Sequence, residues 1–214
     1  MLIALEGIDG SGKSTVAERL VAALQQEGTK AILTREPGGT AIGEQIRMVL
    51  LGEESMSMLP VTEMLLFAAA RAQLVGEVIK PALAQGLVVV TDRFSDSSLA
   101  YQWGARGLAK RDVSLIQELA TGGLEPDLKI LLDLPVDTAL GRRMATAHDV
   151  NRLDREQVQF RTRVRDAYHS LVAEDPARWR VVNADRSEVD VWRDVWGTVV
   201  SEGLFAADAE SIAQ

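Results

Sequence analysis

An α/β fold, with a parallel five-stranded sheet covered by helices on both faces, is what the sequence predicts, and three observations predict it. Short apolar runs alternate with stretches of helical apolar period along the chain. The runs are continuously apolar rather than alternating, as in strands buried on both faces. The first run leads into a glycine-rich turn that opens a helix.

The first strand is expected at Leu2–Glu6, which lacks the basic start and longer apolar stretch of a signal peptide. A helix follows from Ser14 to about Gln26, and the second strand is Ala31–Arg35. Apolar periodicity predicts a long helix from about Val61 to Ala84, whose segment Met64–Ala70 is apolar all round and so expected to be buried. The remaining strands are Leu87–Thr91, Leu128–Asp133 and Arg180–Val182. The last helix presents Val189, Trp192, Val195, Trp196 and Val199 at helical spacing. No repeat or linker interrupts residues 1–200, which are expected to form one unit. Ser201–Gln214, with three acids and no base, reads as a weakly docked acidic tail.

Composition narrows the function. The 214 residues are 47% hydrophobic and 25% charged, enough for one substantial core. No apolar run approaches the ~18–20 residues that span a bilayer, so no membrane partner is expected. The chain has no cysteine, which excludes disulfides, thiol nucleophiles and thiolate metal sites and points to a reducing cytoplasm. A formal net charge of −8 argues against a nucleic-acid polymer as partner. A small anionic substrate then needs a locally basic pocket. His148 and His169, the only histidines, read as surface residues rather than metal ligands.

The turn after the first strand, Gly7-Ile8-Asp9-Gly10-Ser11-Gly12-Lys13-Ser14 with Thr15 following, matches G-x-x-x-x-G-K-[ST] in full. Its glycines let backbone N–H groups face a phosphate chain. Lys13 reaches the β- and γ-phosphates, and the Ser14 hydroxyl can ligate Mg²⁺. The helix adds the positive end of its dipole. A P-loop of this kind implies a nucleoside triphosphate without naming the acceptor. The guanine-reading Asn-Lys-x-Asp sequence is absent.

A second pocket is suggested by polar residues in apolar settings. Arg71 ends the apolar run of its helix and shares a face with Phe67 at i and i+4, a pairing suited to stacking on and hydrogen-bonding a planar heterocycle. An Arg71 paired with a core carboxylate is the competing reading. Asp92, ending the third strand, is placed to hold Mg²⁺ or its water, and Arg93 stands where phosphates converge. Ser98, Tyr101 and Gln102 follow at i, i+3 and i+4. At the end of the second strand, Arg35-Glu36-Pro37-Gly38-Gly39-Thr40 forces a tight loop that holds Glu36 at the binding rim, with Arg47 two helical turns on.

Arg142–Arg165 carries seven arginines, three acids and no lysine, a local charge of +4. Thr146–Asn151 breaks the helical pattern, so residues from about 142 to 157 read as a basic flap over the triphosphate. Arg161, Arg163 and Arg165 read instead as a solvated helix face.

Taken in order, LEGIDGSGKST (Leu5–Thr15), TREPGGT (Thr34–Thr40), LLFAAARAQ (Leu65–Gln73), DRFSDSSLAYQ (Asp92–Gln102) and PDLKILLDLP (Pro126–Pro135) make the chain resemble the bacterial thymidylate kinases up to about Val200. The resemblance implies nucleoside monophosphate kinase architecture, ATP with Mg²⁺, dTMP as acceptor and a homodimer. It implies that Phe67 stacks on thymine, that Arg71 and Ser98 bond its edge, and that Tyr101 and Gln102 border sugar and base. Ser97 joins this substrate-binding set. Glu36 would flank the sugar, Arg47 and Arg93 the acceptor phosphate, and Asp9 both. Family members with glycine at the position of Gly10 use flap arginines for catalysis. Anchored on Arg-Leu-Asp-Arg, Arg155 takes that role; anchored on Phe160 and Tyr168, Arg152 does, and Arg152 is the expected choice. The catalytic set expected is therefore Lys13, Arg93, Asp9 and Arg152 or Arg155. Another acceptor, a nucleoside or dUMP, and a non-catalytic ATP-binding module remain the alternatives.

Overall fold

The computed structural model describes residues 1–146 and 152–203, apart from the side chains of Thr146 and Arg155. His148, most of the Thr146–Asn151 interruption and tail residues 204–214 lie outside the described residues.

Five parallel strands form one sheet in the order β2-β3-β1-β4-β5: β1 Leu2–Glu6, β2 Ala31–Arg35, β3 Val88–Asp92, β4 Leu128–Asp133 and β5 Trp179–Asn183. The strands fall where the sequence placed them, within one residue at the ends of β3 and β5. Alternate residues of β1 feed opposite cores. Ile3 and Leu5 pack with α1 (Lys13–Gln26), α8 (Val158–Glu174) and α9 (Glu188–Ser201). Leu2 and Ala4 pack with Leu74, Val75 and Ile79 from the other layer. Central β1, with β3 and β4 on either side, is the switch point beyond whose carboxyl end a ligand site forms.

The long helix predicted from Val61 to Ala84 is present with an interruption. α3 spans Pro60–Leu74, a π-helical turn Val75–Ile79 follows, and α4 is Lys80–Ala84. Pro81, which has no N–H to give the ladder, sits just beyond the wide turn. Burial of Met64–Ala70 is one-sided rather than complete. Met64, Ala68 and Ala70 are buried while Leu65 is 48% exposed, so α3 presents an apolar face to solvent. Likewise Val189 is exposed on α9, and Val191, Val195 and Val199 form its buried stripe.

The other helices are α2 (Ala41–Leu51), α5 (Ser95–Ser98), continued by a π-helical segment Leu99–Ala105, α6 (Lys110–Thr121) and α7 (Val136–Thr146). A short 3₁₀ turn, Arg152–Arg155, precedes α8.

Candidate active site

The carboxyl ends of β1, β2 and β3 open into one cavity of about 840 Å³. One end is the loop Asp9–Thr15, the other is Phe67, Arg71, Ser98 and Gln102, and Arg93 stands between them. A volume of this size matches a site for small-molecule ligands.

At the loop end, Gly10 (φ +87°) and the left-handed Gly12 (φ +91°) turn the chain into α1. A β-carbon on Gly10 would lie 2.1 Å from the carbonyl oxygen of Ala139, so no side chain fits there. Lys13 Nζ is held by Ile8 O at 2.9 Å and Ser11 Oγ at 3.3 Å. Burial and the nearby Arg93 cation lower the Lys13 pKa to about 8, against the pull of Asp92, Asp9 and Glu6. Ile8 itself belongs to the core, and Gly7 contributes its carbonyl, which accepts from Arg93 Nη1 at 2.9 Å.

Ser14 Oγ donates to Asp92 Oδ2 at 2.5 Å, while the buried Asp92 Oδ1 has no partner. A hydroxyl beside a carboxylate with an idle buried oxygen fits a hard divalent cation that keeps most of its ligands as water and phosphate oxygen. Among the described residues, no group of three or more His, Asp or Glu side chains could hold a metal without such help.

Arg93 is the hub. It is the one non-glycine residue at positive φ among the described residues (+76°), a conformation that aims its side chain back across the end of β1. Nη2 contacts Asp9 Oδ1 at 2.6 Å and Tyr101 OH at 3.2 Å; Nη1 donates to Ser97 Oγ at 3.1 Å and Tyr168 OH at 3.3 Å. Burial favours a neutral Asp9, but Arg93, Lys13 and Arg161 outweigh it and hold the carboxyl well below the usual range. Behind Arg93, Glu6 accepts from Phe94 N–H (2.8 Å), Ser97 Oγ (2.6 Å) and Tyr168 OH (2.8 Å). Full burial, with Asp96 adding to it, raises the Glu6 pKa to about 7.

At the far end, Arg71 pairs with a core carboxylate. It lines the cavity, yet it is 1% exposed and its five N–H groups have five acceptors. Nε donates to Glu36 Oε1 at 3.0 Å, Nη2 pairs with Glu36 Oε2 at 2.5 Å and donates to Phe94 O at 3.0 Å, and Nη1 donates to Ser98 Oγ at 2.9 Å and to Gln117 Oε1. Glu36 is thus engaged by Arg71, and burial raises its pKa despite that cation. Arg47 reaches Pro37 O at 2.9 Å and faces the same cavity. Gln102 Nε2 donates to Glu63, and its buried Oε1 has no partner.

Two expectations about arginines are corrected. Arg152 is absent from the cavity wall: it is 5% exposed, with Nε on Leu50 O at 3.0 Å and Nη2 on Glu63 Oε2 at 2.5 Å. In this structure its guanidinium is committed to a buried carboxylate. The side chain of its rival, Arg155, lies outside the described residues. Arg161, read as solvated, is buried, caps Leu153 O and Asp154 O, and stands 3.8 Å from Asp9 Oδ2. Arg163 is exposed as expected, and Arg165 pairs with Asp133 at 2.7 Å.

The cavity has a third wall. Arg142, which donates to Ala184 O and Arg186 O, lines it together with Arg186 and Trp192, and Arg19 stacks 4.5 Å above the Trp192 ring. Sequence reasoning did not find Arg19 and Trp192 as site residues, because the two meet from opposite ends of the chain and neither carries a local signal.

The comparisons agree with one another. The family profile described as thymidylate kinase matches residues 5–195. The chain is similar to a thymidylate kinase of Thermomicrobium roseum, 48% identical over 92% of this chain and 93% of the relative. It is 43% identical to one of Trichlorobacter lovleyi, over 94% and 97%. The crystal structure of a thymidylate kinase from Ehrlichia chaffeensis superposes with a TM-score of 0.76 at 29% identity, covering 93% of this chain and 98% of that one.

Proposed function

Because the chain belongs to the thymidylate kinase family, we propose how its cleft phosphorylates dTMP to dTDP with ATP as donor. The observation that carries the reading is the single cavity that joins the P-loop to the Phe67–Arg71 pocket across Arg93. Two phosphate-bearing ligands entering from opposite ends meet at that arginine.

Phosphoryl transfer asks little covalent chemistry of the protein, so catalysis here is positioning and charge neutralisation. The backbone of Gly10–Thr15 and the buried ammonium of Lys13 receive the β- and γ-phosphates. Ser14 and Asp92 are the residues that would hold Mg²⁺, which supplies charge neutralisation to the donor phosphates when bound. Arg93, tied to Asp9 and braced by Ser97 and Tyr168, presents its guanidinium to the acceptor phosphate, with Arg47 beside it. The acceptor is an anion already, so no strong general base is needed. Phe67 offers a ring to the thymine. Ser98 and Gln102 Oε1 offer hydrogen bonds, and Arg71 reaches the base by sharing a donor with one of its five present acceptors. Asp9 and Tyr101 crowd the sugar.

Among the described flap residues Arg142 and Arg143 line the cavity and Arg152 does not, so the arginine that meets the transferring group is Arg155 or one of the pair Arg142 and Arg143. Arg161, buried and outside the cavity wall, supports them by capping Leu153 O and Asp154 O beside Asp9. We also propose a homodimer. Ile42 and Val49 on α2, Val61 and Leu65 on α3, and Leu115 and Leu119 on α6 are exposed, on helices that pack side by side, and such a surface suits self-association. No helix is long and apolar enough to cross a membrane among the described residues, and ATP-dependent nucleotide synthesis suits the cytoplasm.

ADP release from ATP and Mg²⁺, measured against dTMP, dUMP, dCMP and AMP, tests the acceptor. One methyl group in an apolar pocket is worth roughly 10–200-fold, so dTMP should outrun dUMP by that factor. Equal turnover of dCMP or AMP overturns the assignment.

A further inference from the structure

Glu63 is the most heavily engaged carboxylate outside the catalytic cluster. It is 1% exposed and lies on α3 at i with Phe67 at i+4 and Arg71 at i+8, so the three share one helix face. Its oxygens accept from Gln102 Nε2 (3.0 Å), from Arg106 Nε and Nη2 (3.1 and 3.0 Å) and from Arg152 Nη2 (2.5 Å). Arg106 also pairs with Glu156 at 2.6 Å, and Arg152 caps Leu50 O at the end of α2.

These contacts run from one end of the cleft to the other. Gln102 lines the acceptor pocket, and Glu63 fixes its amide so that Oε1 faces away from the carboxylate. From Glu63 the path passes to Arg152 and along the 3₁₀ turn to Asp154, whose carboxylate holds Arg143 at 2.8 and 2.6 Å on the donor side of the cavity. Arg161 caps the carbonyls of the same turn and faces Asp9. Buried, well-formed ion pairs of this kind are costly to half-break, so a shift at one end is passed on rather than absorbed.

We propose that Glu63 is a positioning residue that couples the two ligand sites: through Gln102 it senses an occupied acceptor pocket, and through Arg152 it sets the turn that carries Asp154 and Arg143 to the donor. Arg152 then acts by holding structure, not by touching phosphate. The inference rests on the dTMP kinase reading of the cleft.

The test is calorimetric titration of Mg·ADP with and without saturating dTMP, a pair that binds both sites without turnover. Wild type should bind ADP more tightly with dTMP present, by a factor of ~5–150. Glu63→Gln and Arg152→Met should each bring that factor toward unity, and the double variant should lower it no further than the singles, since both act on one link. Arg152→Met keeps the buried stem and leaves Glu63 neutralised by Arg106, so it serves where Glu63→Gln fails to fold. Arg152→Lys should retain an intermediate factor. Variants that melt earlier yet keep the wild-type factor would reduce the pair to a structural role and overturn the proposal, as would a wild type whose ADP affinity ignores dTMP. A wild type that binds ADP but no dTMP fails at the acceptor reading itself and takes the coupling with it.

Discussion

The α-carbon of Gly10 faces the carbonyl of Ala139 so closely that a β-carbon would sit 2.1 Å from its oxygen. The P-loop of this chain is therefore pressed against α7, and the position of Gly10 is closed to any side chain.

Gly10→Ala should lower stability by roughly 1–3 kcal/mol, from the clash with backbone and from a left-handed φ of +87°. A thermal melt of the variant with and without Mg·ATP checks this. An unchanged Tm would mean that α7 moves freely away from the loop.

Lys13→Ala should reduce kcat by ~10²–10³-fold or more, as expected for loss of a charge aimed at the transferring group. The pH profile is the finer test. With burial and Arg93 lowering the Lys13 pKa to about 8 in the free enzyme, kcat/KM for ATP should fall as pH rises above about 8. The limb in kcat should lie higher, because bound phosphate favours the ammonium.

Glu6 makes stability itself depend on pH. Its folded pKa of about 7 exceeds the ordinary 4.5, so between these values the native state holds a proton that the unfolded chain has released. Its contribution is fully present below pH 4.5 and is lost as pH rises through 7. The difference is at most about 3 kcal/mol. Melting curves of wild type and Glu6→Gln across that window should diverge, with the variant showing the shallower fall. Parallel curves would show that Glu6 is ionised throughout.

Arg71→Ala should raise the KM for dTMP while largely sparing kcat, since reading the base is an interaction shared by ground and transition states. The buried pair with Glu36 adds a second effect. Removing one partner leaves a carboxylate stranded, at a cost of about 3–5 kcal/mol. Glu36→Gln in the same chain should recover part of the lost Tm without recovering the KM. A normal KM with collapsed kcat would misplace Arg71.

The sheet was legible in the sequence because each strand is buried on both faces and so carries an uninterrupted apolar run. The P-loop was legible because its chemistry is local, with eight consecutive residues holding every glycine and cation that it needs. The two π-helical stretches at Val75–Ile79 and Leu99–Ala105 were not, since no local residue preference marks a wide turn. Nor were the partners of the arginines. Arg152 and Glu63 are 89 positions apart, and nothing in the flap sequence separates a guanidinium that meets a phosphate from one that meets a buried carboxylate. Aligning Arg152 on Phe160 and Tyr168 preserves the helix register, and it selects an arginine that the structure seats on Glu63. Arg161 was misread for the converse reason, because an arginine-rich helix looks solvated until the loop beneath it supplies an aspartate.

The wall formed by Trp192 makes the enzyme its own optical reporter. Of the four tryptophans in the chain, Trp192 alone borders the cavity, and it lies under Arg19 and stacked on Trp196 with ring centres 5.6 Å apart. A nucleotide that displaces the Arg19 cation from the indole changes the emission of that one ring, and the Trp192–Trp196 stack should give an exciton couplet in circular dichroism. Phenylalanine at 192 would silence both signals, so occupancy of the donor side can be followed in real time without a label.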